Sequence, residues 1–99
     1  ISGSMPALVD IFIEALADGA VLNGMPRDKA YKILSEAVAG SAHMIKKLNK
    51  HPGVLKDEVC SPGGTTIEAV AVLEKGAFRS TLIEAVTKCT EKSIKLSEK

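Results

Sequence analysis

Leu55-Lys56-Asp57-Glu58-Val59-Cys60-Ser61-Pro62-Gly63-Gly64-Thr65-Thr66-Ile67-Glu68 carries a short helical stretch, a turn and the start of an apolar helix in one run. Leu55 and Val59 lie one helical turn apart, and Ser61-Pro62-Gly63-Gly64 is turn chemistry: proline presets φ and glycine accepts what other residues resist. Thr65 stands three residues before Glu68, the capping-box spacing, so a helix is expected from about Thr66 with its free N–H groups aimed back at Ser61, Gly63 and Gly64. Such N–H groups and the helix dipole attract a carboxylate or phosphate.

The rest of the chain reads as helix on both sides of this run. Leu8, Val9, Ile11, Phe12, Ile13, Leu16, Val21 and Leu22 wrap almost all round a helix from Pro6 to Asn23, leaving Asp10, Glu14 and Asp18 as a narrow polar stripe. Ser4 and Pro6 open it and Gly24 closes it. A helix apolar on most sides needs cover on most sides, so a second subunit is expected. A second helix is expected from Arg27 to Asn49, with Ala30, Ile33, Leu34, Ala37, Val38, Met44, Ile45 and Leu48 inside. Its small middle, Ala37 to Ala42, includes Gly40, which costs a helix about 1 kcal/mol relative to alanine and implies close packing. His51-Pro52-Gly53 breaks it. Beyond the turn, a helix from Thr66 to Lys75 ends at Gly76, and a last one from Ala77 to Leu96 aligns Phe78, Leu82, Ala85, Val86 and Cys89. No strand pattern occurs, so the fold class is all-α, in one small domain of 99 residues.

Composition narrows the function. Aromatics make up 3% of a chain that is 45% hydrophobic, which leaves a core of Ala, Val, Ile and Leu. A net charge of +1 argues against nucleic acid as the main partner. No stretch has the length and uniform apolarity of a membrane span and no basic-then-apolar leader marks a secretory signal at Ile1, so a cytoplasmic protein with free Cys60 and Cys89 thiols is expected. The start at Ile1 suggests a fragment.

The Ser61 to Thr66 turn has two readings: an ordinary helix start whose hydroxyls only satisfy backbone donors, or an anion site. Binding a metabolite at about 0.1 to 1 mM takes roughly 4 to 5.5 kcal/mol. A helix dipole gives about 0.3 to 1, so several charge-assisted hydrogen bonds of about 1.5 to 3 kcal/mol must be added. The amides of Gly63, Gly64 and Thr65 and the hydroxyls of Ser61, Thr65 and Thr66 are enough donors. Cys60 lacks a base brought near it by sequence context, and His43, His51 and the two cysteines lack zinc-site spacing, so neither a thiol nucleophile nor a metal is expected. The Asp10, Glu14, Asp18 stripe reads as a solvated face, Ser2-Gly3-Ser4 as a helix cap before an anion site, and Arg79 as a structural ion-pair partner.

Taken in order, these landmarks resemble the C-terminal domain of the pyrroline-5-carboxylate reductase family. The resemblance spans nearly the whole chain. It rests on Ser2-Gly3-Ser4 with Pro6-Ala7, on Ala15 to Val21 with Gly24-Met25-Pro26-Arg27, on Leu73-Glu74 with Gly76-Ala77-Phe78-Arg79, and most specifically on His51-Pro52-Gly53, Leu55-Lys56-Asp57 and Ser61 to Ile67. The resemblance implies about five helices that interlock with a second subunit, like the C-terminal domain of 6-phosphogluconate dehydrogenase, as a homodimer and in many members a ring of dimers. It also implies reduction of 1-pyrroline-5-carboxylate to L-proline, with NADPH or NADH held mainly by a separate N-terminal Rossmann domain and with no metal. Ser61, Gly63, Gly64, Thr65 and Thr66 would bind the substrate: Ser61 and the Gly64 and Thr65 amides its carboxylate, the Thr66 hydroxyl its ring nitrogen. Thr66 is the candidate catalytic residue, and positioning an already protonated iminium suits it better than acting as an acid. Met5, Leu8 and Glu36 depart from the family pattern outside the turn, Glu36 placing a charge on a helix expected to be packed. No GxGxxG follows a strand here, so hydride transfer by this chain alone is not expected. Two alternatives remain: a non-enzymatic helical interaction module, and a reductase of a related imine.

Overall fold

The computed structural model describes residues 2–98. Ile1, on which the fragment reading rests, lies outside them. The described residues form five helices: α1 (Met5–Leu22), α2 (Arg27–Leu48), α3 (Pro52–Val59), α4 (Thr65–Lys75) and α5 (Phe78–Ser97). The all-α expectation holds, with each boundary within a residue or two except at α3, which begins at Pro52 rather than near Leu55. Proline suits a first helical turn, where its missing N–H has no intrahelical partner to lose. The chain divides into two units, Ser2–Pro52 and the stretch from Gly53 onward.

In the first unit α1 and α2 pack through alanines. Ala17 on α1 and Ala30 on α2 are fully buried. Leu8, Ile13, Leu34 and Val38 are half-buried, whereas Ile33, Met44, Ile45 and Leu48, expected inside, are exposed. One neighbouring helix covers one stripe of α2, which is why the wide apolar face read from the sequence is only partly used. Glu36 is exposed as well, so its charge remains in water. The connection is tied by Arg27, which donates to the Asp18 carboxylate and stacks over the Tyr31 ring at 5.8 Å. The hydrogen bond to Asp18 raises the Arg27 pKa above its ordinary value. Both partners are half exposed, so solvent screens the pair and it stabilises the connection only weakly. Asn23 is the C-cap of α1, its side-chain amide donating to the Gly19 carbonyl at 2.8 Å, and Gly24 follows it at φ +105° and closes the helix as expected. Asn49 ends α2 in the left-handed region at φ 52°, a conformation that asparagine tolerates better than most residues.

In the second unit α4 and α5 meet at Gly76-Ala77. Gly76 caps α4 with φ −84°, and Ala77 starts α5 with φ 57°. Arg79 pairs with Glu74 at 3.0 Å across this junction, the structural role expected of it. Phe78, Ala85, Val86 and Cys89 form the half-buried side of α5, while Leu82 is more exposed. Cys60 and Cys89 are free thiols, as the sequence suggested. Among the described residues no helix is long and apolar enough to cross a membrane.

Candidate functional site

The Ser61 turn is built in two steps. The Cys60 N–H donates to the Asp57 carbonyl at 3.2 Å and ends α3; the Gly64 N–H then donates to the Ser61 carbonyl at 3.1 Å and closes a four-residue turn. Proline at the second position and Gly63 at φ +67° at the third are the signature of a type II turn. The two glycines serve different ends. Gly63 supplies a left-handed φ, while a Cβ on Gly64 would lie 3.3 Å from both the Ser61 carbonyl oxygen and Oγ, so Gly64 is small because Ser61 is close.

This geometry corrects two expectations. Thr65 is not the capping residue: Gly64, extended at φ −82° and ψ 178°, is the N-cap, and Thr65 is already helical. The turn closes on Gly64, so the helix starts one residue earlier than the capping-box spacing implies, and no side-chain cap forms. The Gly64 amide, assigned to the substrate carboxylate, is committed to Ser61 instead. The first amides of an α-helix have no intrahelical partner, so the donors left at this start are the Thr65, Thr66 and Ile67 amides. Among the described residues the hydroxyls of Ser61, Thr65 and Thr66 make no hydrogen bond, and all three residues are exposed. Ile67 was missed by the sequence reading, since an apolar side chain gives no sign that its amide is in the third helical position.

The other candidates resolve differently. Asp18 of the acidic stripe is paired with Arg27. Asp10 and Glu14 line an open groove of about 430 Å³ with Ile11, Ile13, Tyr31 and Ser35, a surface depression whose acidic edge agrees with a solvated face. At the α1 start Ser4 makes no side-chain cap hydrogen bond, its carbonyl takes the Ala7 N–H at 3.2 Å, and Pro6 has no N–H to offer. No group of three or more His, Cys, Asp or Glu able to hold a metal occurs among the described residues.

The all-helical fold agrees with what known proteins show. Residues 1–96 match the family described as pyrroline-5-carboxylate reductase dimerisation. The chain belongs to this family. It is 64% identical over 98 residues to the pyrroline-5-carboxylate reductase of Escherichia coli strain K12, which covers 99% of this chain and 36% of the relative. The pyrroline-5-carboxylate reductase of Arabidopsis thaliana is 54% identical over 98 residues, with the same two coverages of 99% and 36%. Among solved structures, the Plasmodium falciparum pyrroline carboxylate reductase with NADP bound superposes with a TM-score of 0.90 at 41% identity, over 94% of this chain and 36% of that one. The enzyme from Streptococcus pyogenes gives 0.84 at 41% identity, over 86% and 33%. The chain therefore spans about a third of the length of the pyrroline-5-carboxylate reductases it matches.

Proposed function

We propose that this chain is the homodimerisation and substrate-binding part of a cytoplasmic pyrroline-5-carboxylate reductase, which converts 1-pyrroline-5-carboxylate to L-proline in the last step of proline biosynthesis. The observation that carries the reading is the unspent set of donors at the α4 start: three amides and the Thr65 and Thr66 hydroxyls, next to the Ser61 hydroxyl, with no side-chain cap using any of them. Three or more charge-assisted hydrogen bonds at about 1.5 to 3 kcal/mol each meet what millimolar binding of a small carboxylate takes.

In this reading the Thr65, Thr66 and Ile67 amides and the Ser61 hydroxyl hold the substrate carboxylate, and the helix dipole adds to their pull. Gly63 and Gly64 keep the approach to the turn clear of side chains. The carboxylate and the ring nitrogen share one carbon neighbour, so anchoring the first fixes the second. The Thr66 hydroxyl then reaches the nitrogen and orients the protonated iminium. A nicotinamide cofactor, NADPH or NADH, supplies the hydride that the C=N carbon accepts. No glycine-rich strand-to-helix motif occurs in this sequence, which supports a separate Rossmann domain as the main holder of that cofactor.

Titrating L-proline into the isotope-labelled chain tests the assignment. Amide shifts confined to Thr65, Thr66 and Ile67 are expected, and proline methyl ester, which lacks the carboxylate, should leave them in place. Equal responses to acid and ester, or shifts elsewhere, would remove the carboxylate site.

A further inference from the structure

The link between α1 and α2 contains Asn23-Gly24, an amide side chain followed by the least hindered backbone nitrogen that a chain can offer. Both residues are exposed, so water reaches them. The link is folded as a Schellman motif: the Met25 N–H donates to the Ala20 carbonyl and the Gly24 N–H to the Val21 carbonyl, each at 3.0 Å, with Gly24 left-handed at φ +105°. The Asn23 side chain is anchored as well, through its bond to the Gly19 carbonyl. At ψ 12° the Gly24 nitrogen lies beside the Asn23 backbone nitrogen, turned away from the Asn23 side chain. Closing a five-membered ring between that nitrogen and the side-chain carbon needs the opposite arrangement, with the nitrogen eclipsing Cβ.

We infer that Asn23-Gly24 is a self-modification site held in check by this cap: it deamidates when the end of α1 opens, and the product then weakens the cap. Opening frees the Gly24 N–H from Val21, releases the side chain from Gly19 and lets ψ rotate. The Gly24 nitrogen then attacks the Asn23 side-chain carbon. A Gly24 N–Cγ bond forms, the Cγ–Nδ2 bond breaks, and the Gly24 amide proton leaves with Nδ2 as ammonia. Water next adds across one of the two ring C–N bonds. Splitting the Cγ bond gives aspartate; splitting the original peptide bond gives isoaspartate, with the main chain rerouted through the side chain. No electrons are exchanged. Either product loses the amide that caps Gly19 and places a carboxylate at the negative end of the α1 dipole. Isoaspartate also lengthens the backbone inside the Schellman motif. Comparable pairs are closed to this chemistry: Asn49 is followed by Lys50, whose side chain crowds the attacking nitrogen, and Asp18-Gly19 lies within α1 with Asp18 held by Arg27.

The test follows Asn23 and Asn49 in the complete protein, stored in mildly alkaline buffer with and without denaturing urea. Peptides are read by mass spectrometry with fragmentation that separates aspartyl from isoaspartyl residues. Asn23 should convert to both products while Asn49 keeps its amide. Urea should speed the conversion of Asn23 by about 10- to 100-fold, the factor that two hydrogen bonds of ordinary strength impose. Equal rates with and without urea would overturn the control by the cap. Absence of conversion in the folded protein, or Asn49 keeping pace with Asn23, would overturn the site itself. Asn23→Asp reproduces the aspartyl product and should lower the thermal midpoint by about 2 to 4 °C. An unchanged midpoint would overturn the weakening of the cap.

Discussion

Two Ser- and Gly-rich loops lead into helices in this chain, and only one leaves its helix start open. Before α1, Ser2-Gly3-Ser4 runs into a helix whose second residue is Pro6 and whose third amide, at Ala7, is already given to Ser4. Before α4, Ser61-Pro62-Gly63-Gly64 closes on itself, spending the Gly64 amide internally and leaving three consecutive amides and two threonine hydroxyls facing outward. Position of the proline separates them. Inside the helix it deletes a donor; inside the turn it shapes the loop and costs the helix nothing. A loop of small polar residues is thus a poor guide to anion binding until the donors have been counted one by one.

The contrast can be broken by making the α4 start resemble the α1 start. Thr65→Pro deletes an amide and a hydroxyl while suiting the first helical position and the extended Gly64 before it. In the complete reductase it should raise KM for 1-pyrroline-5-carboxylate by about 10²- to 10⁴-fold with helicity unchanged. Thr66→Val removes one hydroxyl and should lower kcat/KM by about 10- to 100-fold, with Thr66→Ser retaining most of the activity. Gly63→Ala forces a side chain into φ +67° and should destabilise the chain by about 1 to 2 kcal/mol, read as a lower midpoint in a thermal melt. The smallest effect sharpens the comparison from the other side. Ser4→Ala should change stability by less than about 0.5 kcal/mol and leave KM alone, because the Ser4 side chain makes no cap bond.

The sequence carried the helices because their punctuation is chemical: Pro26, Asn49, Pro52 and Gly76 stand at or next to the ends they mark. It did not carry the cap of α4. Thr65 and Glu68 satisfy the capping-box spacing, but which residue is half in the helix depends on where the preceding turn closes, and that is set by the Gly64 to Ser61 hydrogen bond. The core was overread for a related reason. Periodicity tells which face of α2 is apolar, not how many neighbours arrive to cover it, so Ile33, Met44, Ile45 and Leu48 stand exposed on a face that Ala30 shares. The Ser61, Thr65 and Thr66 hydroxyls were legible as candidates by type; that they are unspent is a matter of geometry.

The junction between α4 and α5 holds a margin for engineering. Gly76 occupies a backbone conformation, φ −84°, that any residue adopts, while its neighbour Ala77 sits at φ 57°, where a side chain is strained. The residue with conformational freedom stands one place too early. Writing the pair in the opposite order, Gly76→Ala with Ala77→Gly, keeps the same atoms in the chain, relieves about 1 kcal/mol of strain and should lift heat tolerance by about 4 to 8 °C for a domain of this length.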